Sequence, residues 1–239
     1  ELEMKRLILI TSLLISSNGW GGDVTTDQVN VRDGITYEIE SGQLLNGNLV
    51  AYHENGQLRV RSKHQDGKMN GLTETFHENG RVEMRGEFKD GYIDGLYEEF
   101  DENGNLMWIE YAHNGKANGP YKQFYKNGQI KQKESYKNDN AEGPWQFFYP
   151  NGQLKQTGNY LNGKRYGLFE HYDEKGRLIA RGNFVDGIEE GLSETFHDNG
   201  KIQNRWNYKE GKIDGAFERF DENGNPTEIA SYKDGKIIE

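Results

Sequence analysis

An aromatic residue followed by two further positions and then Asn-Gly returns every 24 residues along this chain, with no insertion or deletion between copies. The pairs stand at Asn55-Gly56, Asn79-Gly80, Asn103-Gly104, Asn127-Gly128, Asn151-Gly152, Asn199-Gly200 and Asn223-Gly224, and Lys175-Gly176 holds the one place where Asn is missing. A fixed period of this size decides the architecture before any local propensity does, because each copy is one supersecondary unit that buries its apolar stripe only against its neighbours. Eight units are expected, opened by Gly47, Gly71, Gly95, Gly119, Gly143, Gly167, Gly191 and Gly215.

A further glycine column follows Asn-Gly by 11 residues, at Gly67, Gly91, Gly115, Gly163, Gly187, Gly211 and Gly235, with Asp139 standing in once. Three apolar columns run between the glycines. One holds Tyr52, Phe76, Phe100, Phe124, Phe148, Tyr172, Phe196 and Phe220, and a second holds residues such as Leu58, Val82 and Leu106. The third holds Phe88, Tyr136, Tyr160, Phe184, Tyr208 and Tyr232, with His64 and Ala112 as departures.

Each unit reads as two strands. Leu72 to His77 run outward, Asn79-Gly80 is expected to form a tight primed turn, and Arg81 to Lys89 return with Val82, Met84, Gly86 and Phe88 on one face and charges on the other. The fold class is therefore all-β, an elongated antiparallel β-meander of eight hairpin repeats, on the order of 75 Å long at about 4.8 Å per strand. No helix is expected between Tyr52 and Tyr232.

Upstream, Lys5-Arg6 followed by the apolar run Leu7 to Ile15 has the layout of a secretory signal peptide and is too short for a spanning helix. Residues 1–22 are accordingly set apart as upstream sequence and signal, 23–46 as an N-terminal cap and 47–239 as the array. Export to the periplasm or beyond follows from that reading.

The unit Phe76-x-x-Asn79-Gly80-x-Val82, followed by Phe88-x-x-Gly91-x-x-x-Gly95, resembles the MORN-repeat variant of bacterial proteins in the YwqK antitoxin-like family. The resemblance covers about 190 residues, from Gly47 onward. It implies an elongated β array that binds other molecules, with an antitoxin or immunity role in some members. The eighth unit ends almost at Glu239, so no catalytic domain is expected after it.

Composition narrows the partner. A net charge of −10 disfavours nucleic acid, and membrane contact is the less favoured option. Lysines and arginines read as spread along the strands, so a basic or moderately polar protein suits the charge best. The chain has no cysteine, which removes disulfides, thiolate metal sites and cysteine catalysis. His53, His77 and His197 share one column, but copies one unit apart are roughly 9 to 10 Å away from each other, too far to share a zinc ion. Asp101-Glu102-Asn103-Gly104-Asn105 and Asp221-Glu222-Asn223-Gly224-Asn225 resemble pieces of a calcium loop without its closing acid. No cofactor, metal or catalytic residue is assigned, and an enzyme is not expected.

The candidate binding residues form a second aromatic set. Tyr97, Tyr121, Trp145 and Phe169, with Phe217 beyond them, follow the opening glycine by two, and Tyr125, Phe147 and Tyr149 add to them in the middle units. If Phe100, Phe124 and Phe148 face the core, this set faces the other way, where Tyr and Trp dominate binding energetics. Glu98, Glu99, Glu142 and Glu170 would supply a charged rim. The expected function is a non-enzymatic, exported, antitoxin-like immunity protein that sterically neutralises a toxic effector protein. The alternative is a cell-envelope scaffold binding lipid or glycan through the same aromatics. Free sheet edges leave a dimer by edge pairing open.

Overall fold

The computed structural model describes residues 23–238, so the segment read as a signal peptide lies outside the described residues. Those residues form 22 β-strands and a three-residue 3-10 turn, Thr26–Gln28. The chain divides into two compact units, Glu1–Lys116 and Ala117–Glu239.

In the first unit, Asp23–Thr25 lies parallel to Gly47–Tyr52, pairing Val24 with Leu49. A separate hairpin, Val29–Arg32 with Ile35–Glu38, follows. The Thr36 amide donates to the Gly67 carbonyl at 2.8 Å and the Gly67 amide to the Leu45 carbonyl at 2.9 Å, which ties residues 35–45 to the first repeat. Leu45 is fully buried there and Val50 almost so. An antiparallel meander then runs through Leu58–Gln65, Lys68–Phe76, Val82–Lys89, Tyr92–Phe100 and Leu106–His113. The second unit continues the same alternation, from Ile130–Lys137 and Gly143–Phe148 to Lys212–Phe220 and Pro226–Lys233. Among the described residues of this second unit, no helix and no further sheet covers either face of the strands.

The two turns of each repeat exchange the roles the sequence suggested. No asparagine of the Asn-Gly column has positive φ; only the glycine does, as at Gly80 (φ 79°). The Gly80 amide closes a turn onto the His77 carbonyl at 2.8 Å. This is a type I-like turn ended by a left-handed glycine, with a register shift between Thr75 and Phe76 beside it. The primed two-residue turn lies at the other end, where Asp90 (φ 52°) and Gly91 (φ 88°) both take positive φ between the paired Lys89 and Tyr92. Asn79 is used differently. Its Oδ1 accepts from the Arg81 amide at 3.0 Å, and its Nδ2 donates at 2.7 Å to the Glu102 carbonyl of the next repeat. Asn55, Asn127, Asn151 and Asn199 make the same reach to Glu78, Pro150, Glu174 and Glu222.

The neighbouring column does likewise. His53, His77 and His197 place Nε2 at 2.7, 3.0 and 2.8 Å from the carbonyls of Phe76, Phe100 and Phe220. Where the column changes to Asp, the side chain caps its own turn: Asp101 Oδ1 accepts from the Asn103 and Asn105 amides, both at 2.9 Å. These contacts satisfy backbone groups that a thin sheet would otherwise leave to water.

Candidate functional site: the two faces of the sheet

Cross-strand pairing assigns each side chain to a face. In the first unit the central row runs Leu49, Ser62, Thr73, Gly86, Tyr97, Glu110, each paired with the next. In the second unit Tyr121 pairs with Glu134, Trp145 with Gly158, Phe169 with Gly182, Ser193 with Trp206, and Phe217 with Ala230. At Trp145–Gly158, Phe169–Gly182 and Phe217–Ala230 a large ring faces a small residue, and such pairs build a core one side chain deep. Trp145 meets Phe147 at 5.0 Å, Phe169 at 5.5 Å and Tyr160 at 5.9 Å between ring centroids, and Phe169 meets Phe184 at 4.8 Å. The Trp145 and Phe169 rings touch because Gly158 between them has no side chain: a Cβ there would lie 2.8 Å from the Phe169 ring.

The second face carries ion pairs. Arg61 bonds Glu74 and covers the Phe76 ring, and Arg85, Arg181 and Arg205 repeat this with Glu98 and Phe100, Glu194 and Phe196, and Glu218 and Phe220. Phe76 stands two residues from Glu74 on the same strand and so shares this face, and the register shift beside it brings Val82 of the return strand opposite Phe76. The expected separation of the two aromatic sets therefore holds, but the Phe88-type column sits with the second set, as Tyr160 and Phe184 show. The thin core is on the face expected to be exposed, and the Phe76 column is covered by arginine stems.

The predicted binding residues consequently fall in three places. Trp145, only 4 % exposed, Phe147 and Phe169 form one contiguous aromatic patch in the second unit, and the Trp145 indole N–H is buried without a hydrogen-bond partner. Tyr121 lies on the same face with its ring edge against Tyr136, whose hydroxyl reaches Glu134. Tyr97 belongs to the first unit, packed on Trp108 at 5.3 Å. Tyr125 and Tyr149 stand in the histidine column and donate to the Phe148 and Tyr172 carbonyls at 2.7 and 2.8 Å, so they staple successive repeats. Burial, with Glu174 and Asp173 nearby, raises the Tyr149 hydroxyl pKa and keeps it a donor.

The acidic rim is not gathered as expected. Glu99 does lie beside the aromatics, accepting from the Trp108 indole at 2.6 Å. Glu98 pairs with Arg85 on the other face, Glu142 accepts from the Asn162 amide in a turn, and Glu170 accepts from the Tyr172 hydroxyl. On the aromatic face burial lowers the pKa of His64, and burial followed by the charge of Lys155 lowers that of His171, so both stay neutral at pH 7.

The lysines are also less evenly spread than the sequence suggested. Between Lys122 and Lys137 stand Lys122, Lys126, Lys131, Lys133 and Lys137 against Glu134 alone, five positive charges and one negative, or +4 in a chain of −10. Lys122 is directly opposite Lys133, and Lys133 is directly opposite Gln146. An open depression of about 300 Å³ lies here, lined by Pro120, Lys122, Lys133, Ser135, Pro144 and Gln146 among others. Comparing one column across repeats would have found it: Glu74, Glu98, Lys122, Gln146, Glu170, Glu194, Glu218.

The family profile described as "MORN repeat variant" matches residues 69–90, 93–107, 117–138, 141–162, 189–210 and 213–234, just over half of the chain. The chain belongs to this family. The MORN repeat variant matches leave out the stretch around Lys175-Gly176, where the Asn-Gly text itself is broken. No curated protein matches the chain. Among solved structures it is similar to TarM at 13 % identity and a TM-score of 0.23, over 47 % of this chain and 18 % of that one. A chain of the TcdB2-TccC3-Cdc42 structure matches at 12 % identity and 0.17, over 84 % and 14 %. A porin-like protein from Bacteroides uniformis matches at 11 % and 0.17, over 79 % and 91 %. The chain thus spans less than a fifth of the length of the first two, and likenesses at these scores carry no argument.

Proposed function

We propose that this MORN-repeat chain is a non-catalytic protein-binding array, and more specifically an exported, YwqK-like antitoxin or immunity protein that blocks a toxic effector by covering its active surface. The observation that supports binding is the aromatic patch of Trp145, Phe147 and Phe169, with Tyr121 alongside, on a sheet face that no second layer covers among the described residues of its own unit. Apart from Trp145, these rings are half-buried. Rigid, pre-packed aromatics lose little side-chain entropy on docking, which is why such patches carry binding energy. The sheet needs no movement to present them, so inhibition would be steric.

Export and the immunity role rest on the N-terminal sequence pattern and the family resemblance. Co-expression tests them. An immunity protein rescues cells from one effector and not from unrelated ones, and rescue is lost when Tyr121 and Phe147 are both replaced by alanine. A chain that rescues from no effector, and instead associates with envelope lipid or glycan, would be a scaffold.

A further inference from the structure

We propose that the face opposite the aromatic patch, at Lys122, Lys133 and Gln146, is a docking site for an extended acidic segment of a partner protein. The repeat itself supplies the reference state. In four rungs an arginine on the return strand bonds a glutamate on the next outgoing strand, at 2.6 to 2.7 Å, and lies over the adjoining Phe. At the Lys133 rung the cation and its ring remain, with Lys133 Nζ 5.2 Å from the centre of the Phe148 ring, but the acid has become Gln146. In the same hairpin the glutamate column holds Lys122, directly opposite Lys133.

Like charges directly opposed on paired strands repel, and neither lysine forms a salt bridge among the described residues. The rung is therefore a cation ladder whose carboxylates must come from outside. Lys126, Lys131 and Lys137 on the same hairpin extend the field; Glu134, paired with Tyr121 and taking the Tyr136 hydroxyl, is the one carboxylate among the residues that line the depression. The depression between Pro120 and Pro144 gives an apolar floor against which an extended chain can lie.

The occupant is a short acidic peptide segment rather than a nucleic acid because the positive field is local. It is +4 over one hairpin in a chain of −10, so a polyanion running past the patch would meet repulsion. The inference rests on reading the chain as a protein-binding array, but its test does not use the aromatic face.

The full chain is titrated into a fluorescein-labelled decaglutamate peptide at low salt, with an uncharged Gly-Ser peptide and a single-stranded DNA of equal charge beside it. Gln146→Glu supplies Lys133 with an internal carboxylate, as Glu74 does for Arg61. That variant should fold at least as stably as the parent and bind the acidic peptide at least about fivefold more weakly, a loss of about 1 kcal/mol. Lys122→Ala with Lys133→Ala should weaken it by as much. The proposal is overturned if decaglutamate does not bind, if DNA of equal charge binds more tightly, or if Gln146→Glu binds unchanged while its circular dichroism matches the parent. Peptide binding with failed rescue in the co-expression assay would strike the immunity reading and leave this one standing.

Discussion

Gly158 is where the thin core is most sharply determined, and Gly158→Ala isolates its contribution. The residue lies in the return strand Leu154–Leu161 without positive φ, so alanine is sterically allowed by the backbone. In the unfolded chain the substitution lowers entropy and would by itself stabilise by about 0.5 to 1 kcal/mol. Against this, the new methyl would stand 2.8 to 2.9 Å from three atoms of the Phe169 ring. That ring is flanked by Trp145, Tyr160 and Phe184, with the Arg165 guanidinium 5.3 Å from its centre, so it can give way only by breaking those contacts. Overpacking of this kind costs about 1 to 3 kcal/mol, and with both terms at mid-range the net is a loss of about 1 kcal/mol. With an m-value of about 2 kcal/mol/M, the urea midpoint read by tryptophan fluorescence should fall by about 0.5 M. Gly182→Ala is the control, since its Cβ meets the Ser193 hydroxyl at 2.7 Å, which can rotate, and its effect should stay within about 0.5 kcal/mol. Adding Phe169→Leu to Gly158→Ala should return most of the loss as a coupling energy of about 1 kcal/mol. A parent-like midpoint for Gly158→Ala, or no coupling to Phe169, would refute the claim that the missing side chain is what lets the two rings meet.

Further outcomes follow from the same contacts. Replacing Tyr125 by Phe leaves the Phe148 carbonyl without its 2.7 Å donor and should cost about 1 kcal/mol in urea, with Tyr149→Phe costing the same at Tyr172. Arg181→Ala removes the 2.6 Å partner of Glu194, which is only 4 % exposed and keeps Arg205 opposite it, and should cost about 1 kcal/mol, more than the same change at Arg219, whose partner Glu228 is exposed. His64 is buried with Nδ1 lacking a partner, and burial lowers its pKa. The folded state therefore binds fewer protons than the unfolded one, and His64 costs stability as pH falls below about 6.5, through to its lower folded value. His64→Phe, the residue type found at Phe88, should reduce the slope of melting temperature against pH between about 7 and 5.

The hairpins and the places of their turns, though not the type of the Asn-Gly turn, were legible because a 24-residue period reports units directly. What was not legible depended on contacts a full repeat away. Asn79 looked like a residue chosen for positive φ, whereas its amide is fixed by Glu102, 23 residues on. Tyr125 and Tyr149 looked like exposed aromatics for the same reason. Parity misled at Phe88 and Tyr160, since counting by twos along a strand does not see the register shift between Thr75 and Phe76. Trp145 was placed on the correct side but not at its correct depth: burial comes from rings on two neighbouring strands. The lysine rung was missed because net charge averages over the very hairpin where the sign reverses.

The central claim is that the chain binds a protein through its aromatic face. Its most direct measurement is native mass spectrometry of complexes captured by the full chain from envelope and secreted proteins of its source cells, beside the Tyr121→Ala, Phe147→Ala double variant. The account predicts one protein in fixed stoichiometry, lost from a variant whose urea midpoint is lowered but whose circular dichroism without urea matches the parent. No protein in fixed stoichiometry, or one retained equally by the variant, would contradict it.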